Sequence, residues 1–395
     1  MENGFTIMRK KSITSIPMRR EILLWARIMA IAFCFQINSR AAELPGFHVQ
    51  GRYLLDHCGQ KVMLRGVNEM TTWTSRSGGS LSEIAQTGAN VVRIVTVVTD
   101  KSIDLDKWIG LSIKSGMIPM PESHSATGEW AKLGSLFDFW TQPEVVPILI
   151  KYEKELLLNI GNEVGDGSVT TEQWVAAYTS GIKKMRALGI HACIVVDAPS
   201  YGQNIDVVIA GGLDLQAADP DHNLLFSVHC YWIPAWGWSD QKMKDKIQAV
   251  IAKDIPFIFG EFGNSWDLTP TGAIPYKLLL EECQRLEIGW MAWSWGPGNK
   301  PQTWLDMTKD GTFHGLQDWG LEVATTLPGS IKNTSVKSIS ITSQTCQVNS
   351  VRPKNWDKRR QKSKPSRFNY GSPNFYSTGQ TPSELVNLKG RILLP

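Results

Sequence analysis

"LLLNIGNEVG", residues 156 to 165, runs from three leucines to an amide and a carboxylate, Asn162 and Glu163, at one tip. The apolar part does not alternate, so it reads as a short strand covered on both faces. A buried carboxylate is costly unless it is paired, neutralised or put to use. Seven other runs share the pattern: "VMLRGVN" (62–68), "NVVRIVTV" (90–97), "GMIPMPESH" (116–124), "ACIVVDAPS" (192–200), "LLFSVHCYW" (224–232), "IPFIFGEFG" (255–263) and "GWMAWSWG" (289–296). With "ELLLNIGNE" (155–163) they make eight, most of them greasy in their first half and polar or aromatic toward the end.

Helical segments separate the runs. Ser80 and Glu83 suggest a capping box for a helix that stops at Gly88. Thr170 and Gln173 open "TTEQWVAAYTSGIKKMRALG", which closes at Gly189. "SDQKMKDKIQAVIAK" (239–253) places Met243, Ile247, Val250 and Ile251 at helical spacing. Strand and helix alternating eight times predicts an α/β protein, a (β/α)8 TIM barrel. An open doubly wound sheet is the alternative, but no glycine-rich phosphate loop follows the first strand.

The ends read differently. "MRREILLWARIMAIAFCFQINSRAAE" (18–43) has a basic start, an apolar middle broken by Arg27, and small residues before Ala41, the pattern of a secretory signal. Arg27 makes the apolar run short for a membrane anchor. Beyond Leu327, "PGSIKNTSVKSISITSQ" is rich in serine and threonine, and "KNWDKRRQKSKPSRFNYGSPNFYSTGQTPSE" is basic and proline-broken. The expected division is a signal at 1–42, a barrel at 43–330, and a linker with a disordered tail at 331–395. A formal charge of +4 is too small to argue for nucleic acid, because much of the basic excess sits at the ends. Six widely spaced cysteines without a CxxC pair make neither a disulfide scaffold nor a zinc site. Export would allow one or two bridges, and Cys193 and Cys283 read as small buried apolar residues.

In a barrel of this class, chemistry belongs at the C-terminal strand ends. Arg93, His124, Asn162, Glu163, His229, Tyr231, Glu261, Trp293 and Trp295 all fall there. A lone strand-end glutamate is most often a loop or salt-bridge residue. Glu163 and Glu261 together, about 5 Å apart across a barrel mouth, would suit a retaining glycosidase. Arg93 would keep one of them ionised. His229 and Tyr231 share a strand face and can bond a carboxylate or a sugar hydroxyl. Trp293 and Trp295 share another face, where one could stack on a sugar ring and the other simply pack. Zinc is the competing explanation for His124, His229, Glu163 and Glu261, but HExxH is absent and zinc would not call for Asn162.

The strand-end motifs "NIGNE", "HCY", "GEFG" and "WMAWSW" resemble those of family 5 glycoside hydrolases. "GFHVQGRYLLD" (46–56), "TGANVVRIV" (87–95) and "SATGEW" (125–130) resemble more narrowly the bacterial-type endo-β-1,4-mannanases, and the likeness covers roughly residues 46 to 325. The resemblance implies Glu163 as acid/base and Glu261 as nucleophile. Asn162 would bind the hydroxyl beside the anomeric carbon, and Arg93 and Tyr231 would support Glu261. His229 would contact Glu163 or substrate, His124 would line the subsite, and Trp293 would be the sugar platform, with Trp295 the looser match. Ser125 stands where relatives usually carry Asp, and Val164 where Pro or an aromatic is common. The expectation is a secreted, monomeric, retaining endo-mannanase acting on a polysaccharide. It would need no metal or organic cofactor, no nucleic acid, and no membrane once the signal is cleaved. A cellulase with the same mechanism and a catalytically silent carbohydrate-binding barrel are the alternatives.

Overall fold

A computed structural model of the chain describes residues 46–342 and Cys346. The expected signal, and the tail apart from 331–342 and 346, lie outside the described residues. β1 (His48–Gln50) and β2 (Tyr53–Leu55) pair antiparallel as a hairpin, which the apolar runs did not announce. Eight strands follow: β3 (Arg65–Glu69), β4 (Val91–Thr96), β5 (Ile118–Ser123), β6 (Leu157–Asn159), β7 (Cys193–Asp197), β8 (Leu224–Cys230), β9 (Phe257–Phe262) and β10 (Gly289–Ala292). They pair in parallel in chain order, and β10 pairs with β3 to close the barrel. All eight expected runs are therefore strands. Each strand is shorter than its run; Asn162–Glu163 after β6 and Trp293–Trp295 after β10 have left the ladder, whereas β5 and β9 keep Glu122 and Glu261 within it.

Along each strand alternate side chains enter the barrel. Leu64, Val91, Ile118, Leu157, Leu225 and Ile258 fill its lower layers. One layer higher the inward positions change to Asn68, Arg93, Glu122, Asn159 and Asp197, all buried. The outward positions pack beneath the helices: Val92, Ile94, Leu158, Ile194, Val196 and Phe226 belong to the large outer core. The strands are thus apolar on both faces low down and polar on one face at the top.

The main helices are α1 (Ser80–Ala85), α2 (Ser102–Lys114), α3 (Leu133–Trp140), α4 (Thr171–Ala187), α5 (Ile205–Ala218), α6 (Asp240–Ala252) and α7 (Tyr276–Leu286). In α4 the Thr170 hydroxyl accepts from the Gln173 N–H while the Gln173 amide oxygen accepts from the Thr170 N–H, so the expected capping box is complete. Ser239 caps α6 as its sequence suggests. The box expected at Ser80 does not form. Gly79 occupies the cap position, Ser80 is already helical, and the Glu83 carboxylate accepts instead from the Phe313 N–H of a distant loop. A tertiary donor has taken the acceptor that a local rule assigned to the helix end.

The floor of the barrel carries a second surprise. Residues 331–342, placed by composition in the linker, lie against it. Ile331 is fully buried, Asn90 donates to the Val336 carbonyl, and the Arg65 guanidinium spreads over Leu64 and Ile288 carbonyls, Gln284 and Thr334. A disulfide joins Cys58 to Cys346 across a sequence separation of 288. Cys193, Cys230 and Cys283 are free and buried. Cross-linking so long a loop constrains the unfolded chain strongly, by roughly 2–5 kcal/mol. Replacing both Cys58 and Cys346 by Ser is expected to lower Tm by about 5–15 °C at ~2–4 °C per kcal/mol. The turnover number at 25 °C should stay the same, because the bridge is at the end opposite the polar layer. A scan of both proteins under oxidising conditions checks this, and an unchanged Tm refutes it.

Candidate active site

Arg93 is the hub of the polar layer. Its Nε donates to Asn159 Oδ1 (2.8 Å), one terminal nitrogen to Asn68 Oδ1 (2.9 Å) and Glu261 Oε1 (2.6 Å), and the other to Asn162 Oδ1 (2.9 Å) and Asp197 Oδ2 (3.3 Å). Glu122 Oε1 lies 3.9 Å away. Burial works against the guanidinium charge, but the Glu122, Asp197 and Glu261 carboxylates outweigh it and hold the proton firmly. A planar fork serves these five acceptors where an ammonium cannot.

Glu261 reaches Arg93 only because β9 is irregular. Val228 of β8 pairs with Phe259, but the next residue, His229, pairs with Glu261, so Gly260 is an extra residue in β9. Ile258 points into the barrel, and simple alternation would send Glu261 outward with Phe257 and Phe259. The bulge reverses its direction. Glu261 Oε2 then accepts from the Tyr231 hydroxyl at 2.9 Å. A Cβ on Gly260 would stand 2.1 Å from Ser227 Oγ and 3.0 Å from His229 Nε2. Gly260→Ala should therefore displace the His229 ring and cut kcat/KM by about 100-fold, the scale of an ångström-sized misplacement. The stability cost should be about 1–3 kcal/mol of overpacking. Kinetics with a parallel denaturant titration separate the two, and wild-type turnover would refute the placement.

Glu163 follows β6 in a left-handed conformation, φ +50°. A non-glycine residue there carries strain that its surroundings must hold. Its N–H donates to Asp197 Oδ2 (3.1 Å) and its carbonyl accepts from the Gly128 N–H (2.8 Å). The side chain contacts His229 Nδ1 at 2.7 Å. Burial pushes the Glu163 carboxyl well above the ordinary 4.5, and repulsion from Glu261 and Asp197 adds to it. Burial also raises Glu261, but Arg93 and the Tyr231 hydroxyl pull against it. The pair titrates as a unit, with the first proton leaving from the Glu261 side and the last one held at Glu163. His229 is kept neutral by burial and by Arg93.

Asn162 has its oxygen on Arg93, so its amide nitrogen faces Thr127 Oγ1 (3.0 Å) and His124 Nε2 (3.1 Å). His124 in turn places Nδ1 on Glu122 Oε1 at 2.8 Å. Trp293 stacks on His124, ring centroids 5.5 Å apart, and sits in an upper cluster with Met70, Tyr231 and the half-buried Trp73 and Trp266. Trp295 departs from expectation. It is fully buried in the outer core, with its indole N–H on the Gly311 carbonyl, and does not face the mouth. The chain turns between the two tryptophans as it leaves β10, so spacing by two no longer means a shared face. Asp197, Glu122, Asn159 and Asn68 were not singled out from sequence. Asp197 and Glu122 did sit inside quoted runs at strand ends, where their inward parity could have marked them.

One oxygen of Glu163, one of Glu261 and a ring nitrogen of His229 lie within 4.8 Å of one another, a spacing that a cation would also accept. Both Glu261 oxygens and one Glu163 oxygen are already engaged by Arg93, Tyr231 and His229, so the donor set is satisfied by its own hydrogen bonds. A second candidate set, His57 with Cys58 and Cys346, has spent its sulfurs on the disulfide. Carboxylates this close match the retaining arrangement, since inversion wants about 6.5–9.5 Å between them to admit a water.

Known proteins carry the same architecture. Residues 55–299 match the family model described as Cellulase (glycosyl hydrolase family 5). The chain is 31% identical over 285 residues to a mannan endo-1,4-beta-mannosidase of Salipaludibacillus agaradhaerens, covering 70% of this chain and 89% of that protein. The catalytic domain of a mannanase from Streptomyces sp. SirexAA-E superposes with a TM-score of 0.68 at 29% identity, covering 76% of this chain and 96% of that one. The mannohexaose complex of the Thermomonospora fusca β-mannanase gives 0.68 at 26% identity, covering 75% and 99%. With a closed eight-stranded barrel, paired glutamates at its mouth and a family match over most of the described residues, this chain belongs to glycosyl hydrolase family 5 and is a retaining glycosidase.

Proposed function

We propose that the chain is an endo-acting hydrolase of β-1,4-mannan backbones, with Glu261 as nucleophile and Glu163 as acid/base. The observation that carries the assignment is the asymmetry of the pair. Arg93 and Tyr231 bond both oxygens of Glu261, while Glu163 has no cation of its own and the stronger reason to stay protonated. Glu261 attacks the anomeric carbon as Glu163 gives its proton to the departing oxygen, forming a glycosyl ester. Glu163, now ionised, takes a proton from water, which attacks the same carbon and releases Glu261. In this reading Asn162 hydrogen-bonds the hydroxyl next to the reacting carbon, and Trp293 carries the sugar ring. His124, stacked on Trp293 and bonded to Asn162, lines the same subsite.

The choice of mannan rests on the relatives named for that substrate. Mannose and glucose units differ in the orientation of one hydroxyl, and the matching family model is described as Cellulase. The barrel proper, together with the strap to residue 342, is proposed as the catalytic domain. Export is proposed from the leader-like N-terminal stretch and from the Cys58–Cys346 bridge, since disulfides persist in oxidising compartments. Among the described residues no helix is long and apolar enough to cross a membrane.

Incubating the full chain with pure mannan, glucomannan and carboxymethyl cellulose, and following new reducing ends, tests the substrate. Release from mannan with a rapid fall in viscosity is the expected result. Release from carboxymethyl cellulose alone would overturn the substrate and leave the chemistry in place.

A further inference from the structure

Asp197 ends β7, is fully buried, and has no part in the bond-making steps above. Its Oδ1 accepts from Asn159 Nδ2 at 3.1 Å. Its Oδ2 accepts from the Glu163 N–H at 3.1 Å and from Arg93 at 3.3 Å, and faces His229 Nε2 at 3.4 Å. Two separate lines therefore run from this carboxylate to Glu163, one through the main chain and one through the imidazole.

The ring nitrogens of His229 decide what the second line does. A neutral imidazole carries one proton, and the hydrogen bond made by one nitrogen sets the state of the other. Nε2 faces an oxygen whose other neighbours, the Glu163 N–H and Arg93, are all donors. Nε2 makes no aligned hydrogen bond, but a lone pair there would be repelled by the carboxylate oxygen 3.4 Å away, whereas an N–H is attracted to it. Nδ1 is then bare, and its 2.7 Å contact with Glu163 Oε1 is a hydrogen bond only when that carboxyl holds the proton. Glu261 Oε2 is 3.5 Å from Nδ1 and already accepts from Tyr231, so the 2.7 Å contact with Glu163 dominates at that nitrogen.

We propose that Asp197 is a positioning residue for the acid: it keeps the His229 proton on Nε2, so that Nδ1 accepts from protonated Glu163, and it pins the Glu163 main chain. The proposal rests on reading Glu163 as the acid. The charged and titratable groups around Asp197 are Arg93 from β4, Glu122 from β5, Glu163 after β6, Tyr178 from α4, His229 from β8 and Glu261 from β9. In Asp197→Asn a carboxamide N–H can donate to Nε2, driving the ring proton to Nδ1, where it would stabilise ionised Glu163. Loss of the negative charge acts in the same direction. Both effects bring the acid's proton off at lower pH.

The test uses full-length protein with ring-15N histidine, the His229 signals being assigned by their loss in His229→Asn. Wild type is expected to show a protonated Nε2 and a bare Nδ1, and Asp197→Asn to show the reverse. The alkaline limb of kcat/KM should move down by about one pH unit in Asp197→Asn, at the low end of the shift a nearby charge produces. A wild-type Nδ1–H tautomer overturns the proposal, even if the variant does not fold. An unmoved limb with reduced kcat also overturns it, since a merely structural loss scales the profile without displacing it. If Glu163→Gln keeps the alkaline limb while the tautomer result stands, the fault lies with the reading of Glu163 as acid.

Discussion

Glu261→Ala is expected to lower kcat/KM on mannan by about 10⁵-fold or more, some 7 kcal/mol of transition-state stabilisation at ~1.4 kcal/mol per decade. The size follows from how the side chain is held. Its two oxygens are fixed by Arg93 at 2.6 Å and Tyr231 at 2.9 Å, so the attacking atom is aimed before substrate arrives and nothing nearby can replace it. Glu163 is the nearest carboxylate, but it is needed protonated on the leaving-group side. The alanine variant leaves a gap on the face of attack, and a small anion such as azide should fill it. One displacement in place of two should then give the α-glycosyl azide from a β-linked substrate. Measuring residual turnover and the anomeric configuration of the azide adduct checks both parts. A loss below about 100-fold, or a β-azide, would sink the assignment.

Glu163→Ala should behave differently, and the contrast separates the two glutamates. General acid assistance is worth about 10²–10⁴-fold when the leaving group is a sugar hydroxyl. On a dinitrophenyl mannobioside, whose phenolate needs no proton, the first step should run near the wild-type rate. The glycosyl ester should then accumulate, because no base activates water, and azide should give the β-azide by attack on that ester. The pH profile supplies a second check. Glu261 must be ionised, and its proton leaves above the ordinary 4.5 because burial raises it, so the acidic limb of wild-type kcat/KM should lie above that value. Glu163 must be protonated, and it is raised further by burial and by the Glu261 and Asp197 charges, so activity should persist toward neutral pH before falling. In Glu163→Ala the alkaline limb should vanish. Equal losses on polymer and activated substrate, or a limb that survives the substitution, would transfer the acid role elsewhere.

Much of this site was legible in the order of residues. Glu163, Asn162, His124, His229 and Tyr231 stand at the ends of apolar runs and Arg93 interrupts one, and a parallel barrel gathers such ends at one mouth. Trp295 misled because spacing by two holds only while the chain stays in a strand, and β10 ends at Ala292. Ser80 misled because its helix begins a residue earlier and Glu83 serves the Phe313 amide. The strap from Ile331 to Thr342 was hidden by its composition. Serine and threonine are common in linkers, yet here they are interspersed with Ile331, Ile339 and Ile341, Thr334 and Ser338 fasten to Arg65 and Asp56, and the Val336 carbonyl accepts from Asn90.

The linear order of residues determined the barrel itself: eight strands greasy on both faces, joined by helices, have few other ways to bury their surface. It also determined which end would carry the chemistry, because only one end of each run is polar. The tertiary structure decided how the surroundings of the two carboxylates differ. The one-residue bulge at Gly260 turns Glu261 inward to Arg93, while Asp197 and His229, brought from other strands, surround Glu163 without a cation. Sequence carries the identity of ionisable groups, but their proton affinities come from burial and from charges a few ångströms away, and those distances exist only once the barrel has closed.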